Sequence, residues 1–311
     1  MRETMASQPG ELRRLLADER PVSAAAARLA GRRVLVVGTG TSWHAAGQGA
    51  ALLRLAGMDA WAVQAADAAA AGPVPLPGDA LLLLTHRGTK QRTSEVLARA
   101  RSDGVATVVV SRRGNPEADL ETVENERSAA FTASHLGALM RVSQLARVLG
   151  APLGALERVP DAVADELESG PAAVEPPRRM IEFAGVGINR WTAAEGALKI
   201  AEAALVASEG LACEGVLHGP AAALGGDDVL VCLDGGEGTE RVDDLERVVA
   251  AQGARTHRFS RQALGPPLSI FPLTVIVQKI AAEAAEALKI DPDTMGRNLP
   301  GRAQAWADVR L

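Results

Sequence analysis

The chain has 311 residues, 47% of them hydrophobic and 23% charged, with a formal net charge of −5. That length accommodates two α/β domains of about 100–200 residues each, and the composition excludes wholesale disorder. The acidic balance leaves no electrostatic footprint for a nucleic acid, so no nucleic-acid partner is expected.

Aromatic residues make up 3% of the chain and Tyr is absent, so the cores must be built from Ala, Val, Leu and Ile. The 33 basic residues include only four Lys, at positions 90, 199, 279 and 289. Cys213 and Cys232 form no CxxC pair and have no metal-like spacing with His. They read as reduced core thiols, and neither a metal nor a cofactor is expected. The opening MRETMASQPGELRRLL has no apolar signal core. No uninterrupted apolar run approaches the roughly 18 residues of a membrane span, so a cytoplasmic protein with no membrane contact is expected.

In chain order, Ser7-Gln8-Pro9-Gly10 predicts a turn, followed by a polar helix over 11–19 and a short helix over 24–29. Val34-Leu35-Val36-Val37 then predicts a buried parallel strand, because four apolar, partly β-branched residues end on Gly38. A helix over 44–56, an extended stretch at 60–64, a strand at 80–85, a helix at 93–103 and a strand at 106–111 follow. A long helix over 132–149 closes the pattern. Strands alternating with helices at this interval imply βαβ units and a parallel sheet.

Pro160, Pro171, Pro176 and Pro177 bracket one acidic helix, and beyond them the plan repeats. Strands are predicted at 181–186, 229–233 and 255–259, with helices at 192–206, 241–251 and 273–288. The expected fold is α/β, with two tandem, doubly wound, mainly parallel open sheets from an internal duplication. Residues 1–150 form a helical start and the first domain, 151–177 a helical linker, 178–296 the second domain and 297–311 a tail. Ligands of such sheets bind beyond the carboxyl ends of the strands, near a topological switch point.

Three segments carry candidate chemistry. Gly38-Thr39-Gly40-Thr41-Ser42 is a strand-to-helix turn that suits an anion through backbone N–H groups and the helix dipole. A dinucleotide fingerprint requires a third Gly where Trp43 stands, which argues against a nicotinamide enzyme. A tight turn capped by Thr41 or Ser42 is the plainer alternative. The second loop, Thr85-His86-Arg87-Gly88-Thr89-Lys90-Gln91-Arg92-Thr93, places three cations among hydroxyls and reads as a phosphate cradle, or else as a solvated basic loop. In the third, Glu195, Lys199 and Glu202 recur at i, i+4 and i+7 on one face of an Ala-rich helix. An ordinary Glu–Lys pair would look the same, but charges on a buried helix need partners or a purpose. Downstream, His218 sits in Cys213-Glu214-Gly215-Val216-Leu217-His218-Gly219-Pro220.

The order GTGTS, polar Gly-containing loop, AEGALKIAE, and LHGP sixteen positions after Glu202 resembles the sugar isomerase (SIS) family. Within it, the likeness is to the isomerase half of glutamine–fructose-6-phosphate aminotransferases, which is made of two SIS domains. It spans nearly the whole chain, from ETMASQP to Asp291-Pro292-Asp293 and Arg297-Asn298-Leu299. The resemblance implies that Glu202 is the base moving a proton between sugar carbons 1 and 2. Lys199 is implied as the active-site Lys and Glu195 as a supporting carboxylate. His218 is implied in ring opening, reaching in from a neighbouring subunit, so a homodimer is expected. Thr41, Ser42, Thr85, His86, Arg87 and Lys90 match the phosphate-contacting loops, and the implied ligand is a sugar phosphate or amino sugar phosphate.

Three departures stand beside this likeness. The glutaminase domain and its Cys nucleophile are not in the sequence, so glutamine-dependent amide transfer is not expected of this chain alone. The family's serine-rich SxSGET loop is replaced by Thr85-His86-Arg87-Gly88-Thr89-Lys90, which suits a phosphate or another anion such as a carboxylate. Pro300-Gly301 follows Arg297-Asn298-Leu299 where the family has a Lys, leaving no candidate for its imine-forming or ring-closing role. The expected activity is proton transfer at C1/C2 of a phosphosugar, by an isomerase, deaminase or deglycase. The alternative is a binding protein without turnover.

Overall fold

The computed structural model describes residues 1–70, 72, 74–307 and 309. The chain divides into two compact units. One comprises Met1–Ala6, Arg127–Thr132 and Arg158–Trp306, and the other Ser7–Glu126, Ala133–Glu157 and the C-terminal residues from Ala307.

Helix α1, Arg2–Ala17, runs without a break through Pro9, where the sequence predicts a turn. Proline removes one N–H from the helix ladder, but the apolar stripe of Met5, Leu12 and Leu15 is buried and outweighs that loss. Helix α2 spans Arg20–Leu29, starting earlier than the sequence suggests because Pro21 occupies its first turn. The first sheet then assembles from β1 (Val34–Gly38), β2 (Ala60–Gln64), β3 (Ala80–Leu84), β4 (Ala106–Ser111) and the two-residue β5 (Leu120–Glu121). Its order is β2-β1-β3-β4-β5, and every pairing is parallel.

Between these strands lie α3 (Thr41–Leu55), α4 (Ala65–Ala70) and α5 (Gln91–Ser102), and α6 (Ala133–Val148) follows β5. Leu35, Val37, Leu81, Leu83 and Val109 cluster with Ala68 of α4 and with Val96 and Ala100 of α5. Alternate strand residues such as Val36 and Leu82 point the other way, where α2, α3 and α6 pack. Both sheet faces are therefore covered, which is why the strands read as continuous apolar runs.

The second sheet repeats the plan. It comprises β6 (Ile181–Gly185), β7 (Ser208–Ala212), β8 (Val229–Asp234) and β9 (Arg255–Ser260), all parallel, in the order β7-β6-β8-β9. Helix α7 (Val159–Glu168) precedes it, α8 (Asn189–Ala204) follows β6, and α9 (Cys213–Leu217) follows β7. Helices α10 (Thr239–Ala251), α11 (Ile270–Ala287) and the short α12 (Arg302–Trp306) complete the chain. The stretch from Cys213 to Leu217, ahead of His218, thus forms one short helix.

Helices α8 and α11 pack together over Ile181, Phe183, Val231 and Leu233. Segment Pro266–Ala287 is long and apolar enough to cross a membrane, but 94% of its most apolar stretch is buried in the protein. A core helix meets the same test of length and composition, and that is the role α11 fills. Lys279 of α11 is tied to α7 by hydrogen bonds to the Glu166 carbonyl at 2.7 Å and to Ser169 Oγ at 3.0 Å.

Candidate functional site

In each sheet the chain order reverses between the first strand and the third, at β1/β3 and at β6/β8. At such a switch point the two strand-end loops diverge and leave a crevice. In the first sheet these loops are the GTGTS turn and Thr85–Lys90, so both sequence-predicted anion loops lie at one switch point. A Cβ on Gly38 would collide with the Ser42 carbonyl oxygen, so the turn into α3 closes only on glycine. Gly40 caps α3 at φ +57° with no side-chain hydrogen bond, and Lys90 caps α5 likewise without one. Both helices point N-termini at the crevice without a capping side chain, as anion sites do.

Thr41 is buried and Ser42 half-buried in the first turn of α3. Thr85 is buried, and its Oγ1 accepts the Gly88 N–H at 3.2 Å, which shapes the loop. Arg87 is exposed and Lys90 half-buried. His86 has a different place from the others. It is buried, and its Nε2 accepts the backbone N–H of Glu126 at 3.0 Å. Burial pushes its pKa down to about 4, with Arg87 and Arg112 acting in the same direction against Glu126. His86 is therefore neutral near pH 7, and the cationic groups of this loop are arginine and lysine.

The second sheet uses the same turn but fills it. Gly185 meets the Asn189 carbonyl as Gly38 meets that of Ser42, four residues on in both cases. Here, however, a carboxylate oxygen of Glu237 lies 2.5 Å from where a Cβ on Gly187 would stand. Asn189 Nδ2 donates to Ser269 Oγ at 2.8 Å directly against Gly235. The strand end that carries Thr85 in the first sheet carries Asp234 in the second. Asp234 accepts from Gly236 N, Ser260 Oγ and Arg258. The two turns thus share a geometry and differ in lining, one set among cations and hydroxyls and the other occupied by the protein's own carboxylates.

The Glu195–Lys199–Glu202 face of α8 comes together as its spacing predicts. Glu195 and Lys199 are fully buried, and the Glu202 side chain retains 16% exposure. Lys199 Nζ lies 3.5 Å from Glu195 Oε1 and forms a closer hydrogen-bonded ion pair with Glu202 Oε2. Lys199 thus bridges two carboxylates, and Glu202 is the member that reaches solvent. Gly196 makes the position possible, because a Cβ there would meet Phe183 of β6 at 2.9 Å and Val277 of α11 at 3.0 Å.

His218 caps the end of α9 on the surface, with 75% of its side chain exposed. Its Nε2 is 2.8 Å from Glu214 Oε1, and Glu214 also accepts from Arg241 Nε at 2.8 Å. Within the chain, His218 pairs with Glu214 and not with the α8 carboxylates. Both cysteines are free and buried, and burial pushes Cys213 up to about 11 and Cys232 well above its ordinary value. Among the described residues no group of three or more His, Cys, Asp or Glu is placed to hold a metal.

Two residues outside the sequence-predicted set bear on the first sheet. Glu126 bonds both to the Thr85–Lys90 loop and to α6. Arg141, fully buried in α6, donates to the carbonyls of Glu121 and Asp18 and to the Asp18 carboxylate. Nothing local in the sequence marks either one, since the partners just named lie eight or more positions away.

No family model matches the chain. The glutamine–fructose-6-phosphate aminotransferase (isomerizing) of Pyrococcus horikoshii is 31% identical over 213 residues, 61% of this chain. The chain spans 36% of that relative's length. Among solved structures, the C-terminal domain of glucosamine-fructose-6-phosphate aminotransferase from Francisella tularensis superposes with a TM-score of 0.77 at 15% identity, covering 93% of this chain and 96% of that one. Glucosamine-6-phosphate deaminase from Thermotoga maritima gives 0.77 at 18% identity, covering 94% and 96%. Tagatose-6-phosphate ketose/aldose isomerase from Escherichia coli gives 0.75 at 18%, covering 94% of each chain. The chain has the fold that these proteins share.

Proposed function

We propose that the protein binds a sugar phosphate or amino sugar phosphate and moves a proton between its C1 and C2. The observation that carries this reading is the α8 triad, in which Lys199 is buried between Glu195 and Glu202 while Glu202 keeps access to solvent. Moving a carbonyl between neighbouring carbons needs one carboxylate that removes a proton from one carbon and returns it to the other. It also needs positive charge near the enediolate oxygen that forms in between. Glu202 is the proposed base, Lys199 the electrostatic stabiliser and Glu195 the group that orients Lys199. The crevice at β1/β3 supports phosphate as the anion, through Thr41, Ser42, Thr85, Arg87 and Lys90. His86 belongs to this loop as a neutral anchor. By the resemblance, His218 would serve ring opening in a partner subunit's site within a homodimer, and its exposed place at the end of α9 leaves it open to such a site.

The names of the similar proteins, an isomerizing aminotransferase, a deaminase and an isomerase, support the same class of substrate. One observation favours a second reading, a phosphosugar-binding protein without turnover. Pro300-Gly301 stands where the resemblance calls for a Lys, so a group for imine formation or ring closure is missing there. Incubation in D2O with fructose 6-phosphate or glucosamine 6-phosphate, followed by proton NMR, separates the two. Deuterium entering at C1 or C2 supports the catalytic reading, and binding without exchange supports the other.

A further inference from the structure

Glu126 has no part in the chemistry proposed above, yet it is buried to 4% exposure beside the anion loop and bonds in three directions. Its backbone N–H donates to His86 Nε2 at 3.0 Å, and its carbonyl accepts from Arg87 Nη2 at 3.2 Å. Its side-chain Oε1 accepts the Ser134 N–H at 2.7 Å, in the first turn of α6. A carboxylate on the opening N–H groups of a 16-residue helix is favoured by both the hydrogen bond and the dipole. The His86 carbonyl is held in turn by Ser111 Oγ at 3.0 Å and by the Arg112 N–H at 3.1 Å. The loop is therefore fixed on one side to β4 and on the other to α6, and the second attachment runs through Glu126 alone among the bonds just named.

We propose that Glu126 is a positioning residue for the anion loop: its carboxylate anchors it on α6, and its main chain then clasps His86 and Arg87. His86 serves as a neutral acceptor in this clasp, which its buried ring suits. Losing the carboxylate frees the main chain at residue 126, and the guanidinium of Arg87 loses a fixed reference. The proposal rests on the reading of Thr85–Lys90 as a phosphate loop, and the test separates the two.

Two variants suffice. Glu126→Gln keeps an oxygen that can accept the Ser134 N–H, and Glu126→Ala does not. Calorimetric titration with fructose 6-phosphate should show Glu126→Ala weakened by about tenfold, as for loss of one charged hydrogen bond, and Glu126→Gln within about threefold of wild type. Affinity for fructose should not separate the variants. Without ligand, hydrogen–deuterium exchange of the peptide covering residues 85–92 should quicken in Glu126→Ala and stay near wild type in Glu126→Gln. Unchanged exchange in Glu126→Ala, or equal losses in both variants, overturns the clasp. Failure of the wild type to bind fructose 6-phosphate, with the exchange difference present, overturns the phosphate reading and leaves the clasp standing.

Discussion

Glu182 of β6 and Glu209 of β7 stand directly opposite one another in the register of neighbouring parallel strands. Glu182 is fully buried, and neither of its carboxyl oxygens has a hydrogen-bond partner. On the same sheet face, Glu214 is engaged by His218 and Arg241, and Glu246 by Arg258. Among the described residues no cation pairs with Glu182, so burial, with Glu209 adding to it, pushes its pKa up to about 8. A buried carboxyl in this state is protonated at neutral pH.

The sign of the pH effect follows. Unfolded, Glu182 titrates near the ordinary value of 4.5; folded, it titrates near 8. The native state holds the extra proton between those values, so stability falls as pH rises through them, by at most about 1.4 kcal/mol per pH unit. Melting temperatures between pH 5.5 and 8.5 should decline more steeply in wild type than in Glu182→Gln. Parallel curves would mean that Glu182 ionises in the fold without penalty.

How much of this was legible in the sequence varies with the kind of signal. β1, β3 and β8 are unbroken apolar runs bounded by Gly or Asp, and they announce themselves because both faces of each sheet are covered. The α8 face was legible from spacing alone, since Glu195, Lys199 and Glu202 can meet only on a helix. β7 was not, because Ser208-Glu209-Gly210-Leu211-Ala212 contains no β-branched residue and is a strand through its pairing with β6. Pro9 argued locally for a turn, and burial of Met5, Leu12 and Leu15 overrode it. The bond between His86 and Glu126 was not legible for a related reason: the two are forty positions apart.

The two cations of the anion loop can be tested separately. Lys90→Ala should weaken binding of fructose 6-phosphate by about 1.5–3 kcal/mol, the range of a charge-assisted contact, while affinity for fructose changes little. Arg87→Ala should do the same and also loosen the loop, because Arg87 bonds to the Glu126 carbonyl. Titration calorimetry with both ligands reads the difference. Equal losses for the two sugars would move the phosphate to another place.

The surface position of His218 gives a test of subunit arrangement. Sedimentation at micromolar concentration should show a dimer. If each site joins Glu202 of one chain with His218 of the other, Glu202→Gln and His218→Ala should each be inactive alone. Co-refolded in equal amounts, they should recover about one quarter of wild-type activity, since half of the dimers are mixed and each has one intact site. A site built within a single chain recovers nothing.

The decisive residue is Glu202, the one carboxylate of the α8 group with access to solvent. Glu202→Gln keeps the volume and can still bond to Lys199, but its amide cannot accept a proton from carbon. Exchange at C1 and C2 should therefore fall by about 10²–10⁴-fold, the usual loss for a general base, with affinity for the phosphosugar nearly unchanged. Lys199→Met should also slow exchange, but it strips an ammonium from two carboxylates, one of them fully buried, and should lower the melting temperature as well. Glu195→Gln, which leaves Lys199 paired with Glu202, should have the smallest effect on rate. If the three residues are instead a structural ion-pair network, Glu202→Gln will lower the melting temperature and leave exchange untouched. Measuring both quantities on the same preparation decides between proton transfer and packing.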